Sequence, residues 1–330
     1  MIDLGQLGDV VLSLPALRAI REKFASAKIT LLVGQPAAEL VQQCSVVDEV
    51  VTVDRRKLKD GPKLRSIMDL LRLAGDVRRR HFDLVIDLHS FYETNILGFL
   101  SGAQQRLFAN RENRSLDFLS NFPVLPPRED KTMHHADRYL AVLRPLGIEN
   151  ANRTIALTPA ESDRAKVQSL FSKDGVTNKL AGLFLGAGHA TRRWSIQKFA
   201  DLAERLSRYD GLQVVAFMGP EERAFRAEAK AIFSGKAMLV EELGLSAFFA
   251  ALSFLDVLIC GDTGPMHLAA LAGTALVLLT EKPAPTVFLP LTNNVTVLVE
   301  ETLDEIEVFD VEHAVLELTN NNPDKHEQPE

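Results

Sequence analysis

Ile2-Asp-Leu-Gly-Gln-Leu-Gly-Asp-Val-Val-Leu-Ser-Leu-Pro-Ala-Leu-Arg-Ala-Ile20 begins as a short apolar run, turns on two glycines and continues with apolar residues at helical spacing. A strand that ends in a glycine turn and feeds a helix is the first half of a βα unit. Working outward, strand patterns at 2–4, 29–33, 50–53 and 84–88 alternate with helical patterns at 9–24, 36–43, 64–80 and 134–146. The second half repeats the scheme, with strands at 180–185, 213–218, 237–240, 257–260 and 275–279 and helices at 195–207, 221–233, 246–252, 266–271 and 303–318. This alternation predicts the α/β class with parallel sheets. At roughly 150 residues per domain, 330 residues make two lobes, with a ligand cleft expected between them. The turn-rich segment 147–179, which holds a further helix at 161–172, carries the join. The expected division is an N-terminal lobe 1–160, a C-terminal lobe 161–318 and a polar, disordered tail 319–330.

The net charge of −7, with 25% charged and 46% hydrophobic residues, is that of an ordinary soluble domain pair. It gives no basic face for nucleic acid. No apolar window is long enough to span a bilayer, and the start has neither a basic segment nor a cleavage site, so a cytoplasmic protein is expected. The two cysteines, Cys44 and Cys260, lie in or beside apolar runs and read as buried thiols. No Cys or His cluster has metal spacing, and the adjacent His134 and His135 point to different helix faces.

Gly5 and Gly8 let a ligand approach the start of the first helix closely. The spacing is G-x-x-G-D and not the dinucleotide fingerprint. Asp9 has two readings, a first-turn carboxylate favoured by the helix dipole or a cleft-facing general base. Cys260-Gly-Asp-Thr-Gly-Pro-Met-His267 repeats the strand–turn–helix layout, and Thr263 with the free N–H groups of Gly264 and its neighbours suits an anion. Asp262 beside such an anion suits a hydroxyl, and simple helix capping stands as the alternative. Gly186-Ala-Gly-His-Ala-Thr-Arg-Arg-Trp194 places Arg192 and Arg193 where they could clamp a diphosphate, and Trp194 reads as a packing residue. Glu221 or Glu222 could accept from ribose hydroxyls or simply match the helix dipole. Arg55, Arg56, Lys59 and Arg111 belong to a basic loop population that could hold an anionic acceptor.

Leu4-Gly-Gln-Leu-Gly-Asp-Val-Val-Leu-Ser-Leu-Pro, Phe82-Asp-Leu-Val-Ile-Asp-Leu, Arg192-Arg-Trp-Ser and Gly261-Asp-Thr-Gly-Pro-Met-His together resemble glycosyltransferase family 9, the ADP-heptose:lipopolysaccharide heptosyltransferases. The resemblance covers roughly residues 2–315. It implies a GT-B fold of two Rossmann-like lobes with parallel sheets facing across a cleft. It also implies an inverting transfer from a nucleotide sugar such as ADP-heptose to a lipid-linked or other anionic glycan acceptor, without a metal, at or near the cytoplasmic face of the inner membrane. Asp9 matches the family's proposed base. Asp262, Thr263, Gly264 and His267 match its donor loop, Arg192 replaces its phosphate-binding Lys, and Gly8 lies on the acceptor side. Two stretches depart from the family pattern. His89-Ser-Phe-Tyr-Glu-Thr stands where many members read Gln-Gly, and Thr280-Glu-Lys-Pro-Ala-Pro replaces the usual Phe-Gly-x-Thr-Asp-Pro. They leave open a different nucleotide sugar, an epimerase or a catalytically silent binding protein, with a nicotinamide-binding protein as the weakest alternative.

Overall fold

The computed structural model describes all residues except 55–62, 113–114, 156, 172–178, 188–192 and 322–330. The chain divides into two units, Met1–Ile155 and Ala156–Glu330, so the division falls a few residues before the expected position 160.

The first unit is built on five parallel strands in the order β3-β2-β1-β4-β5. The strands are β1 (Ile2–Asp3), β2 (Thr30–Gly34), β3 (Glu49–Val53), β4 (Leu84–Asp87) and β5 (Gln105–Phe108). Helices α1 (Leu7–Lys23), α2 (Gln35–Val41), α3 (Lys63–Arg79), α4 (Tyr92–Leu100) and α5 (His135–Val142) accompany them. Only two residues long, β1 is nevertheless central, pairing Ile2 with Leu32 on one side and with Asp87 on the other. Sequence reasoning missed α4 and β5. Gln105-Arg106 give the edge strand β5 a polar start, and only its register with β4 makes it a strand. Ile2, Leu4, Leu32, Val53, Val85, Leu97 and Phe108 form one core cluster. α1 packs against α5 and buries nearly every residue from Val10 to Ile20. That is why the segment reads as a continuous apolar run and not as a one-sided stripe.

The second unit holds six parallel strands in the order β11-β10-β9-β6-β7-β8. These are β6 (Lys179–Phe184), β7 (Leu212–Met218), β8 (Met238–Glu241), β9 (Val257–Gly261), β10 (Ala275–Glu281) and β11 (Val295–Glu300). The helices are α6 (Glu161–Phe171), α7 (Ile196–Leu206), α8 (Arg226–Ile232), α9 (Leu245–Phe254), α10 (Gly264–Leu271) and α11 (Val308–Asn321). β9 is buried along its whole length, as expected of a parallel strand covered on both faces.

Three expectations need correction here. β11 was not foreseen. The single helix expected at 221–233 is a 3-10 turn, Pro220–Phe225, followed by α8. The expected tail does not begin at 319, because α11 runs on to Asn321. Thr319 is 3% exposed, its hydroxyl donates to the Val315 carbonyl at 2.9 Å, and its own carbonyl accepts from Lys179 Nζ at 2.7 Å. Both cysteines are buried and unbonded, and burial pushes the Cys44 thiol up to about 12, far from a reactive thiolate.

Candidate functional site

In each sheet the chain reverses its direction of growth once, between β1 and β4 and between β9 and β6. Ligands of open α/β sheets gather at the carboxyl ends of the strands at such points. Asp9 lies past the end of β1 at the first, and Asp262, Thr263 and Gly264 past the end of β9 at the second.

In the first unit, β1 ends at Asp3 and the chain turns through Gly5 into α1. A Cβ on Gly5 would stand 2.4 Å from the Asp9 Cβ and 2.7 Å from two atoms of the His89 ring. Glycine is thus required by close approach, and it lets His89, which follows β4, come up beside α1. Asp9 is the third residue of α1, and its Oδ2 accepts the Gln6 N–H at 2.8 Å. Its side chain stays 25% exposed, so the same carboxylate caps the helix and faces solvent. Gly8 is the second residue of the helix.

His89 Nε2 lies 4.0 Å from Asp9 Oδ2 and 2.9 Å from the Tyr139 hydroxyl on α5. Its Nδ1 lies 3.1 Å from Asp3 Oδ1, an ion-pair distance that is out of line for a good N–H hydrogen bond. Asp3 Oδ1 also accepts from the Gly5 N–H at 3.0 Å, and Ser13 donates to Oδ2. Burial works against the charged imidazolium, yet Asp3, then Asp9 and Asp87, outweigh it and hold the His89 pKa above its usual value. Burial likewise works against the Asp3 carboxylate, and His89 with the Ser13 and Gly5 donors brings its pKa below normal. Asp87 closes the floor of the site. Its Oδ1 accepts the N–H groups of His89 and Ser90 at 3.1 and 2.8 Å, and its Oδ2 accepts from Asn95 at 2.9 Å. Ser90 takes φ of +47°, a left-handed conformation uncommon for a residue with a side chain. Next to the site, His135 has its pKa lowered to about 3 by burial and by Arg138, His89 and Arg111.

Sequence reasoning missed Asp3 and Tyr139, and noted His89 only as a departure. A signal was present, since an aspartate within an apolar strand start is rarely buried without a partner. Arg111 was expected to bind acceptor. The structure commits its guanidinium to the wall, with Nη1 donating to the His89 carbonyl at 2.6 Å and Nε 3.1 Å from Glu129 Oε2. Arg55, Arg56 and Lys59 lie outside the described residues.

In the second unit, β9 ends at Gly261, and Thr263 is the N-cap of α10. Its hydroxyl donates to the Gly261 carbonyl at 3.3 Å and makes no capping hydrogen bond to the helix start. The helix terminus therefore keeps its partial positive charge for a ligand. Asp262 and Gly264 are half-buried beside it, and His267 is 5% exposed one turn on. Past the ends of β6 and β7, Gly186 and Glu222 of the Pro220–Phe225 turn meet. Glu222 is 5% exposed, its Oε2 accepts the Gly219 N–H at 2.9 Å, and a Cβ on Gly186 would stand 2.4 Å from its Oε1. Glu222 thus serves as a cap of its own turn. Arg193 stacks its guanidinium 4.1 Å over the Phe225 ring, and Arg192 lies outside the described residues. Trp194 packs, as its sequence context suggested. It is 2% exposed, edge-on to Phe199, and its indole N–H donates to the Ile306 carbonyl at 3.3 Å. Among the described residues no group of three His, Cys, Asp or Glu side chains is placed to hold a metal ion.

Residues 70–314 match the sequence profile of glycosyltransferase family 9 (heptosyltransferase). The chain is 24% identical over 283 residues to lipopolysaccharide heptosyltransferase 3 of Escherichia coli K12, covering 82% of this chain and 78% of the relative. It superposes with a TM-score of 0.83 on a family 9 glycosyl transferase from Veillonella parvula, at 24% identity and over 97% and 96% of the two chains. It superposes at 0.75 on E. coli heptosyltransferase WaaC with ADP-2-deoxy-2-fluoro heptose, at 17% identity and over 96% and 98%. The two structural likenesses establish the fold, two parallel α/β units of the GT-B kind.

Proposed function

Since the chain belongs to glycosyltransferase family 9, we propose that it moves a heptose or related sugar from an ADP-sugar to a hydroxyl of a lipopolysaccharide core or similar glycan. The support is Asp9, a carboxylate that is fixed by a backbone N–H, remains open to solvent and sits beside a buried histidine. In this reading Asp9 removes the proton from the acceptor hydroxyl. The oxygen attacks the anomeric carbon, the C–O bond to the diphosphate breaks on the opposite side, and the configuration inverts. The start of α10 at Thr263 and Gly264, with Arg192 and Arg193, receives the negative charge of the leaving diphosphate without a metal. Asp262 and His267 hold the rest of the donor. An ADP-sugar fits a relative such as WaaC, whose structure contains ADP-2-deoxy-2-fluoro heptose. The acceptor is taken to be lipid-linked and met at the cytoplasmic face of the inner membrane. No described helix is long and apolar enough to cross a membrane.

Asp9→Asn keeps the shape and removes the base. We expect it to lose about 100-fold or more in transfer, the usual share of general base catalysis, with donor affinity retained. Transfer is read from ADP release with ADP-heptose and a core oligosaccharide, and donor affinity from calorimetric titration. Near-normal turnover in Asp9→Asn would sink the assignment.

A further inference from the structure

We infer that His89, backed by Asp3, is a positioning residue that holds the Asp9 carboxylate in its reactive orientation, so that transfer depends on the proton carried by His89. This rests on the reading of Asp9 as the base. An ordinary core histidine is neutral and satisfied by a carbonyl or hydroxyl. His89 is 4% exposed and yet faces three carboxylates, Asp3 from β1, Asp9 from α1 and Asp87 from the end of β4. On its remaining sides stand Phe91, stacked at 5.3 Å, and α5, with Tyr139 against Nε2 and with His135 and Arg138 nearby. Arg111 donates to its backbone carbonyl.

Three acids around one buried imidazole favour the imidazolium, which has a proton on each ring nitrogen. One nitrogen is directed at the Asp3 side and the other at the Tyr139 hydroxyl and Asp9. The missing side chain at Gly5 is what allows this approach. Losing the proton would remove the positive charge that faces Asp3 on one side and Asp9 on the other. The effect should fall on the reacting carboxylate and not on the donor site, which belongs to the other unit.

The expected signature is an alkaline limb in the pH profile of kcat that originates in His89. His89→Gln puts a neutral amide in its place and should abolish that limb, leaving kcat level across it, with the KM for ADP-heptose unchanged. Asp3→Asn removes the countercharge and should move the limb to lower pH by about one unit or more. In the unmutated protein, NMR of labelled histidine should show the His89 ring still protonated above pH 6.5.

An alkaline limb that His89→Gln leaves in place, or that Asp3→Asn leaves unmoved, overturns the inference while transfer itself stands. A His89 ring already neutral at pH 6.5 overturns it without any variant having to fold. Absence of transfer from ADP-heptose to core oligosaccharide by the unmutated protein at every pH removes the reading it rests on, and the inference with it.

Discussion

The smallest side chain in the site has the largest steric consequence. Gly5→Ala would drive a methyl into the Asp9 Cβ and the His89 ring, both rigidly held and closer than any real contact. We expect it to cost about 1–3 kcal/mol, the usual range for overpacking, and to depress transfer as strongly as removal of Asp9. Urea unfolding and a turnover assay check the two parts. The histidines of this region also set how stability responds to pH. Folded His89 holds its proton more tightly than the unfolded chain does, so its stabilisation is complete below about 6.5 and drains away as pH rises through its folded value. For His135 the sign is reversed. Its pKa is lowered to about 3, so its stabilisation is present above 6.5 and is lost as pH falls toward that value. Together they predict a thermal stability maximum near pH 6.5, measured by calorimetry across pH, with the alkaline decline absent in His89→Gln. Asp9 was legible in the sequence because local spacing places it at a helix start. The Asp3–His89 pair was not, because its members become neighbours only when β1 is laid between β2 and β4.

Among the strands, those covered on both sides were readable, as were the edge strands β3 and β8, while the edge strands β5 and β11 were not. β9 and β10 are runs of apolar residues and announce themselves, whereas β5 and β11 are edge strands that depend on one partner each. The end of α11 escaped for a different reason. Thr319-Asn-Asn reads as a polar tail, but the Thr319 hydroxyl bonds back to the helix and Lys179 grips its carbonyl. A clasp between α7 with its flanking residues and the segment from Asp304 into α11 is similarly non-local. Besides the Trp194 indole, Lys198 Nζ donates to the Asp304 carbonyl at 2.6 Å, and Arg205 and the Tyr209 hydroxyl both reach Glu312 at 3.1 and 3.0 Å. Because Trp194 is buried at the centre of this clasp, Trp194→Ala should cost about 3–5 kcal/mol, as large aromatic deletions do. Denaturant unfolding followed by circular dichroism checks it. A loss under 1 kcal/mol would show that the clasp holds without its ring.

At the scale of the whole molecule, the two units divide the labour by chemistry. On the proposed reading, Met1–Ile155 presents the carboxylate base with its histidine, and Ala156–Glu330 presents the start of α10 for phosphate. A ligand that binds only the folded second unit stabilises it by mass action. ADP at a hundred times its Kd should therefore raise stability by about 2.7 kcal/mol. The rise should exceed that from UDP or GDP at equal concentration and shrink in Asp262→Ala, as read by calorimetry. Preference for UDP or GDP would retain the fold and replace the donor. The grip of Lys179 on Thr319 joins residues 140 positions apart, and it ties the history of the chain to its order of synthesis. At the roughly 5–20 residues per second of a ribosome, about 7–28 s separate the appearance of those two residues. Throughout that interval β9 and β10 emerge without α11, which packs against them, while the first sheet, complete by Phe108, is free to close. A newborn chain thus acquires the unit Met1–Ile155 well before the unit Ala156–Glu330. Its exposure to aggregation and to chaperones is concentrated in the last stretch of translation.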